Sequence, residues 1–263
     1  MAGILTPVPC VSEALGMGAA SNGINFTTTT YVEITAATVY DISGLWITMT
    51  GREASDTRVA TLGIGAAAAE RPLMEIYLTF SNVALTPGLS FFAPVRVPAG
   101  SRLAAKSSAA SSSIDIHLNG LALGGAANMG SDFVESAGVS GDGGTDVNAG
   151  ASANTKGAWA EMSASTVYRW GAIMVIIGNN ANAAMSTGDF RLDIGVGAAG
   201  SEQVIHGDFI FTEELTYDRL NNLVFGPFPC DIPIGSRIAV RVQSTLTDAT
   251  DRIIDAIVLG FAA

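Results

Sequence analysis

Apolar and polar side chains alternate with a period of two along most of the chain. Met74, Ile76, Leu78 and Phe80 share one face of a run whose other face carries Glu75, Tyr77 and Thr79, and Ile114, Ile116 and Leu118 alternate with Asp115 and His117. The same rhythm returns in Phe190, Leu192, Ile194 and Val196, and again in Ile238, Val240 and Val242. This is the strand period, with one face turned to a core. Ile173 to Ile177 is instead a continuous apolar run, short and rich in β-branched residues, which predicts a buried strand. Helical periodicity is confined to a turn or two over 213–221. Gly, Asn, Ser and Pro punctuate the strands at the intervals of a sandwich or barrel.

The pattern is written twice. Tyr31, Glu33, Thr38 and Tyr40 recur as Trp159, Glu161, Thr166 and Tyr168; Gly63, Gly65 and Glu70 recur as Gly195, Gly197 and Glu202. Pro98, Gly100, Ser101 and Arg102 recur as Pro233, Gly235, Ser236 and Arg237, and Asp115 with Gly120 recurs as Asp255 with Gly260. Matches in constant order, with an offset that only grows, predict an internal duplication. The expected fold is all-β: two tandem jelly-roll-like antiparallel β-sandwich domains of seven or eight strands each, with an immunoglobulin-like sandwich as the alternative. The first domain is expected over 31–123 and the second over 158–263. An arm covers 1–30, and a Gly-, Ser- and Asn-rich linker, poor in apolar residues, covers 124–157.

Composition narrows the partners. With 13 basic and 24 acidic residues the net charge is −11, which argues against nucleic acid. Charged residues make up 14% of the chain, against a usual ~25%, so part of the surface is expected to lie against other protein. Cys10 and Cys230 are not equivalent between the copies and read as incidental buried thiols. The start lacks the basic region of a secretory signal and no apolar stretch is long enough for a membrane span, so assembly in the cytoplasm of a host cell, without membrane insertion, is expected.

Candidate chemistry is sparse. Gly195, Gly197 and Gly200 satisfy a dinucleotide fingerprint, but a strand pattern follows where the phosphate-binding helix should start, and the first copy has Ala68 in place of the third glycine. These glycines read as a tight bend. Asp142, Asp146 and Asn148 lack the spacing of a calcium loop, and His117 and His206 have no neighbours suited to a metal site or a triad. The shared carboxylates Glu33/Glu161, Glu70/Glu202 and Asp115/Asp255 read as structural, with Arg102 and Arg237 placed to tie down loop carbonyls or pair with them. No enzyme activity, cofactor or metal is expected.

The blocks Leu192 to Glu202 and Pro233 to Arg241 resemble a β-rich module of minor structural proteins in tailed bacteriophages and gene transfer agents. The resemblance spans both copies and implies a virion component, expected to be a head decoration or head-spike base that contacts other virion proteins as a homo-oligomer. The alternative it implies is a tail or receptor-binding protein that recognises host-surface carbohydrate. Tyr31, Trp159, Trp170 and Tyr217 are the aromatics considered for that role; Tyr31 and Trp159 match across the copies and read as core, which leaves Trp170 and Tyr217 as the glycan-contact candidates.

Overall fold

The structure, a computed structural model, describes residues 10–15, 24–26, 29–51, 56–80, 89–109, 114–123, 130–179, 186–213 and 222–263. Among them are eighteen strands and no helix; the weak helical pattern over 213–221 falls, beyond Glu213, outside the described residues. The first nine are β1 (Cys10–Leu15), β2 (Ile24–Phe26), β3 (Val32–Thr35), β4 (Gly44–Gly51), β5 (Asp56–Ile64), β6 (Arg71–Phe80), β7 (Leu89–Ala93), β8 (Leu103–Ser107) and β9 (Ile114–Leu123). The second nine are β10 (Val134–Ala137), β11 (Thr145–Asn148), β12 (Ala160–Ser163), β13 (Trp170–Asn179), β14 (Gly188–Val196), β15 (Gln203–Glu213), β16 (Leu223–Ile232), β17 (Ile238–Ser244) and β18 (Ile253–Ala262).

The two sets are wired identically. One sheet of the first sandwich runs β1-β9-β4-β7 with β2 also on β9, and the other runs β3-β8-β5-β6; the second repeats this as β10-β18-β13-β16 with β11 on β18, and β12-β17-β14-β15. Taking β1 with β2 as one interrupted strand, the eight positions pair in the orders 1-8-3-6 and 2-7-4-5. That is a jelly roll, present twice. The growing offset has visible causes: the connection 52–55 becomes 180–187, β15 takes a bulge near Gly207 and Asp208, and β16 takes one near Gly226.

Two expected boundaries are corrected. Residues 10–15 and 24–26 are not a separate arm, because both stretches pair with β9. Residues 134–137 and 145–148, read as linker from their low apolar content, are β10 and β11, which pair with β18. They are the counterparts of β1 and β2. Their few apolar side chains suffice because β18 supplies the rest of the core: Val147 is fully buried against it.

The second sandwich has its own core, in which Trp170, Ile173, Val175 and Ile177 of β13 face Phe190, Leu192 and Ile194 of β14 and Ile238, Val240 and Val242 of β17. The intervening side chains of the same sheet, Met174, Ile176, Ile257, Leu259 and Phe261, belong instead to the core of the first sandwich. This sheet is therefore buried on both faces. The sandwiches meet where β6 and β7 of the first lie against this sheet, and the core of the first extends onto its outer face.

Candidate interaction surfaces

The seam between the sandwiches is built on β6, the edge strand of the first. An edge strand exposes unpaired backbone groups that invite further pairing. Here side chains of the second sandwich occupy them: Glu75 N–H donates to Ser136 Oγ at 3.0 Å, Thr79 N–H donates to Asn222 Oδ1 at 2.5 Å, and Asn222 Nδ2 donates to the carbonyls of Tyr77 and Ile177 at 3.2 and 3.3 Å. Tyr77, fully buried, lies over Gly178, where a methyl group would overlap its ring. Its hydroxyl donates to Asp255 Oδ2 at 3.0 Å. Burial pushes the Asp255 carboxyl up to about 7, and the hydrogen-bonded Asp146 carboxylate adds to the rise, against the opposing bonds from Tyr77 and the Gly144 N–H. Ser131 and the 94–96 segment exchange backbone hydrogen bonds of 2.8 Å, which clamps one end of the seam.

The faces that the seam leaves free differ from those it covers. On the covered sheet of the second sandwich stand Met174, Ile176, Ile257 and Leu259; the equivalent positions on the free sheet of the first are Trp46, Thr48, His117 and Asn119. On the sheet of the first sandwich that β6 edges, the outward Val59, Thr61 and Tyr77 are buried and uncharged, whereas the equivalents of the first two in the second sandwich are charged: Arg191, exposed, and Asp193, buried among ion pairs. Asp193 accepts from Lys156 at 2.7 Å and Arg241 at 2.9 Å; burial pushes its carboxyl up, but these cations and the Asp208 N–H outweigh it and hold it below the usual range. Both outer faces of the tandem thus carry polar or charged side chains at positions where the seam has apolar or uncharged ones.

Shared residues do structural work in both copies. Arg102 Nε donates to Glu33 at 2.8 Å and its Nη1 to Glu70 at 2.5 Å; Arg237 Nε donates to Glu161 at 2.6 Å and its Nη1 to Glu202 at 2.7 Å. The same Nη1 atoms approach the carbonyls of Gly65 and Gly197 at 3.5 and 3.4 Å. Those two glycines hold φ near +127° and +126°, a tight bend with no helix after it, so the fingerprint is a turn. Tyr31 and Trp159 are half-buried rather than core: each ring covers a strand glycine, Gly63 or Gly195, and lies beneath a cation, Lys106 at 4.9 Å or Arg241 at 4.4 Å.

The remaining candidates disperse. Trp170 is fully buried against Gly260 and its Nε1 donates to Glu135 at 3.0 Å, so it has no face to offer a sugar. Tyr217 lies outside the described residues. His117 is half-buried on the free face, with Nε2 shielded from solvent, and His206 packs on Phe228 at 5.0 Å. The half-buried Cys230 thiol is pushed up to about 11 by burial and by Asp231. Among the described residues no group of His, Cys, Asp and Glu is arranged to hold a metal ion, and no helix is long and apolar enough to cross a membrane.

Sequence reasoning missed the tips. In each copy a turn presents an exposed valine followed by tyrosine, held from behind by a carboxylate: Glu13 accepts the N–H groups of Val39 and Tyr40, and Glu135 those of Val167 and Tyr168. Thr38 and Thr166 complete each turn by donating to the carbonyls of Pro98 and Pro233 at 2.9 Å. Both tips lie at one end of the stack, because Phe133 stacks on Tyr168 at 4.8 Å while Arg71, at the start of β6, lies over the Phe133 ring. Val39 (69% exposed), Tyr40 (43%), Phe133 (44%), Val167 (65%) and Ile234 (68%) are there, five of the eight exposed large apolar side chains among the described residues. Arg169 at this end is tied to Asp231 through two bonds of 2.7 and 2.8 Å.

Among solved structures, those of virus particles show weak overall similarity to the chain. A naturally occurring empty particle of cowpea mosaic virus is similar over 97% of this chain and 90% of its own, at TM-score 0.36 and 7% identity. Broad bean stain virus is similar over 99% and 92%, at TM-score 0.32 and 8% identity, and a subviral particle of infectious bursal disease virus over 97% and 72%, at TM-score 0.24 and 10% identity. No family model matches the chain, and no curated protein does. The jelly-roll assignment rests on the strand order itself.

Proposed function

We propose that the chain is a non-enzymatic structural component of a virion, a head decoration or head-spike base of a tailed phage or related particle, which docks through the end that bears the Val-Tyr tips. The gathering at that end of five of the eight exposed large apolar side chains among the described residues carries this reading. Isolated exposed apolar residues are ordinary, but several at one end favour burial against protein. Low overall charge, an arginine at that end already paired within the chain, and a rigid stacked tandem suit a shell part. The test has two arms. Mass spectrometry of gradient-purified particles from the source cells should find the chain in stoichiometric amounts, and the purified protein should form an oligomer that Val39→Asp with Val167→Asp dissociates. A wild-type monomer absent from particles would defeat the reading.

A second reading, recognition of host-surface carbohydrate, draws support from Trp46. Its ring is 47% exposed on the free sheet of the first sandwich, its Nε1 donates to Ser90 Oγ at 2.9 Å, and Thr48 adjoins the same hydroxyl at 3.2 Å. Neutral hydroxyls around one exposed indole suit a sugar face. Glycan-array binding that Trp46→Ala abolishes would favour it.

A further inference from the structure

The seam holds two acidic side chains where the equivalent register of the first sandwich holds one. Asp146 of β11 stands directly opposite Asp255 of β18; in the first copy Asn25 stands opposite Asp115. An acid facing an amide needs no extra proton, whereas two acids side by side resist ionising together. The doubled acid occurs only in the copy whose outer face is covered. Asp255 is buried there, and its Oδ2 receives the Tyr77 hydroxyl from the other sandwich.

We propose that the Asp255–Asp146 pair is a proton-operated latch on the seam: one proton held between the two carboxyl groups keeps the sandwiches docked, and its loss to solvent loosens them. With the proton in place, Asp255 is neutral, donates to the more exposed Asp146 and accepts from Tyr77. Without it, the buried Asp255 becomes an anion beside that of the exposed Asp146, next to the apolar interior that Met174, Ile176 and Ile257 share with the first sandwich. Other titratable or charged groups near the pair are few. On β6, Glu75 is pushed upward by burial and drawn back by Lys106, and Tyr77 is the donor already named. From β5, Arg58 reaches Asp142 in the turn before β11 at 3.9 Å, and Asn222, just before β16, supplies a neutral amide. The raised pKa of Asp255 agrees with this geometry and puts release near neutral pH.

Because the docked state binds this proton more tightly than the opened one, opening should rise by about tenfold for each pH unit between roughly 4 and 7, and level off above. Hydrogen exchange of the full-length protein, corrected for the intrinsic pH dependence, reads this in peptides covering β6, β11 and β18. Wild type should open on the order of a hundredfold more readily at about pH 7 than at about pH 5, and Asp255→Asn should flatten that dependence. Asp146→Asn, which keeps the Asp255 acid but removes its neighbour, should end the rise at a lower pH and shrink it; this variant carries the test if Asp255→Asn does not fold. Infrared spectroscopy should show a protonated carboxylic acid near pH 6 that is missing from Asp255→Asn. Opening that is flat in wild type, or equally steep in both variants, overturns the latch.

Discussion

Leu259 and Asn119 occupy the same position in the two copies, and truncating each to alanine measures what the seam contributes. Leu259 is fully buried on the outer face of β18, inside the core of the first sandwich, while Asn119 is half-buried on the free face. Leu259→Ala removes the equivalent of three methylenes, about 2.4 kcal/mol at ~0.8 kcal/mol each, and the cavity it leaves brings the total into the range of ~2–5 kcal/mol. For a chain of this size that corresponds to a fall in Tm on the order of 5–12 °C. Asn119→Ala should stay within about 0.5 kcal/mol. Guanidinium unfolding followed by circular dichroism, with calorimetry for Tm, compares the two on one scale. Equal effects, or a Leu259→Ala cost below about 1 kcal/mol, would refute the shared core, since a cost that small indicates a side chain whose removal leaves little cavity.

Other sites give sharper or simpler outcomes. Gly260→Ala should prevent folding of the second sandwich, seen as loss of soluble protein, because the added methyl would overlap the buried Trp170 indole; Gly100→Ala, with open space around its φ of +77°, should cost only backbone strain and stay soluble. Burial raises the Glu202 carboxyl, but its own backbone N–H and the Arg237 guanidinium outweigh this and hold it below the usual range. Its contribution is therefore present at neutral pH and lost as pH falls through the folded value. Arg237→Ala should lower Tm at pH 7 and leave a smaller difference from wild type below pH 4, read by calorimetry.

Much of this architecture was legible because both copies obey one strand code. Jelly-roll strands, the structural role of Arg102 and Arg237, and the turn at Gly65 and Gly197 all followed from residues kept twice. The seam was not read from the sequence, although a difference between the copies carries it. Ile114 to Leu118 alternates apolar with polar, while Ile253 to Phe261 is nearly continuous, and a strand that loses its alternation is one buried on both sides. The linker reading failed because β10 and β11 bring few apolar side chains of their own and borrow their burial from β18, a long-range property that local composition does not carry. Trp170 was a poor glycan candidate for a related reason: only the pairing of β13 with β18 lays its ring against Gly260, the one glycine in β18. The tips went unnoticed because exposure at a turn depends on which carboxylate holds it from behind, and Glu13 and Glu135 are distant from those turns in sequence.

The covered edge of β6 has a genetic corollary. Once the outer face of the second jelly roll had become apolar and the first had accepted side-chain caps along its border, neither half could be released as a free-standing product without leaving bare surface. A truncation that separates them at any point should therefore yield aggregate from the downstream half, and the doubling, having begun as redundancy, has become a dependence that the gene cannot easily reverse.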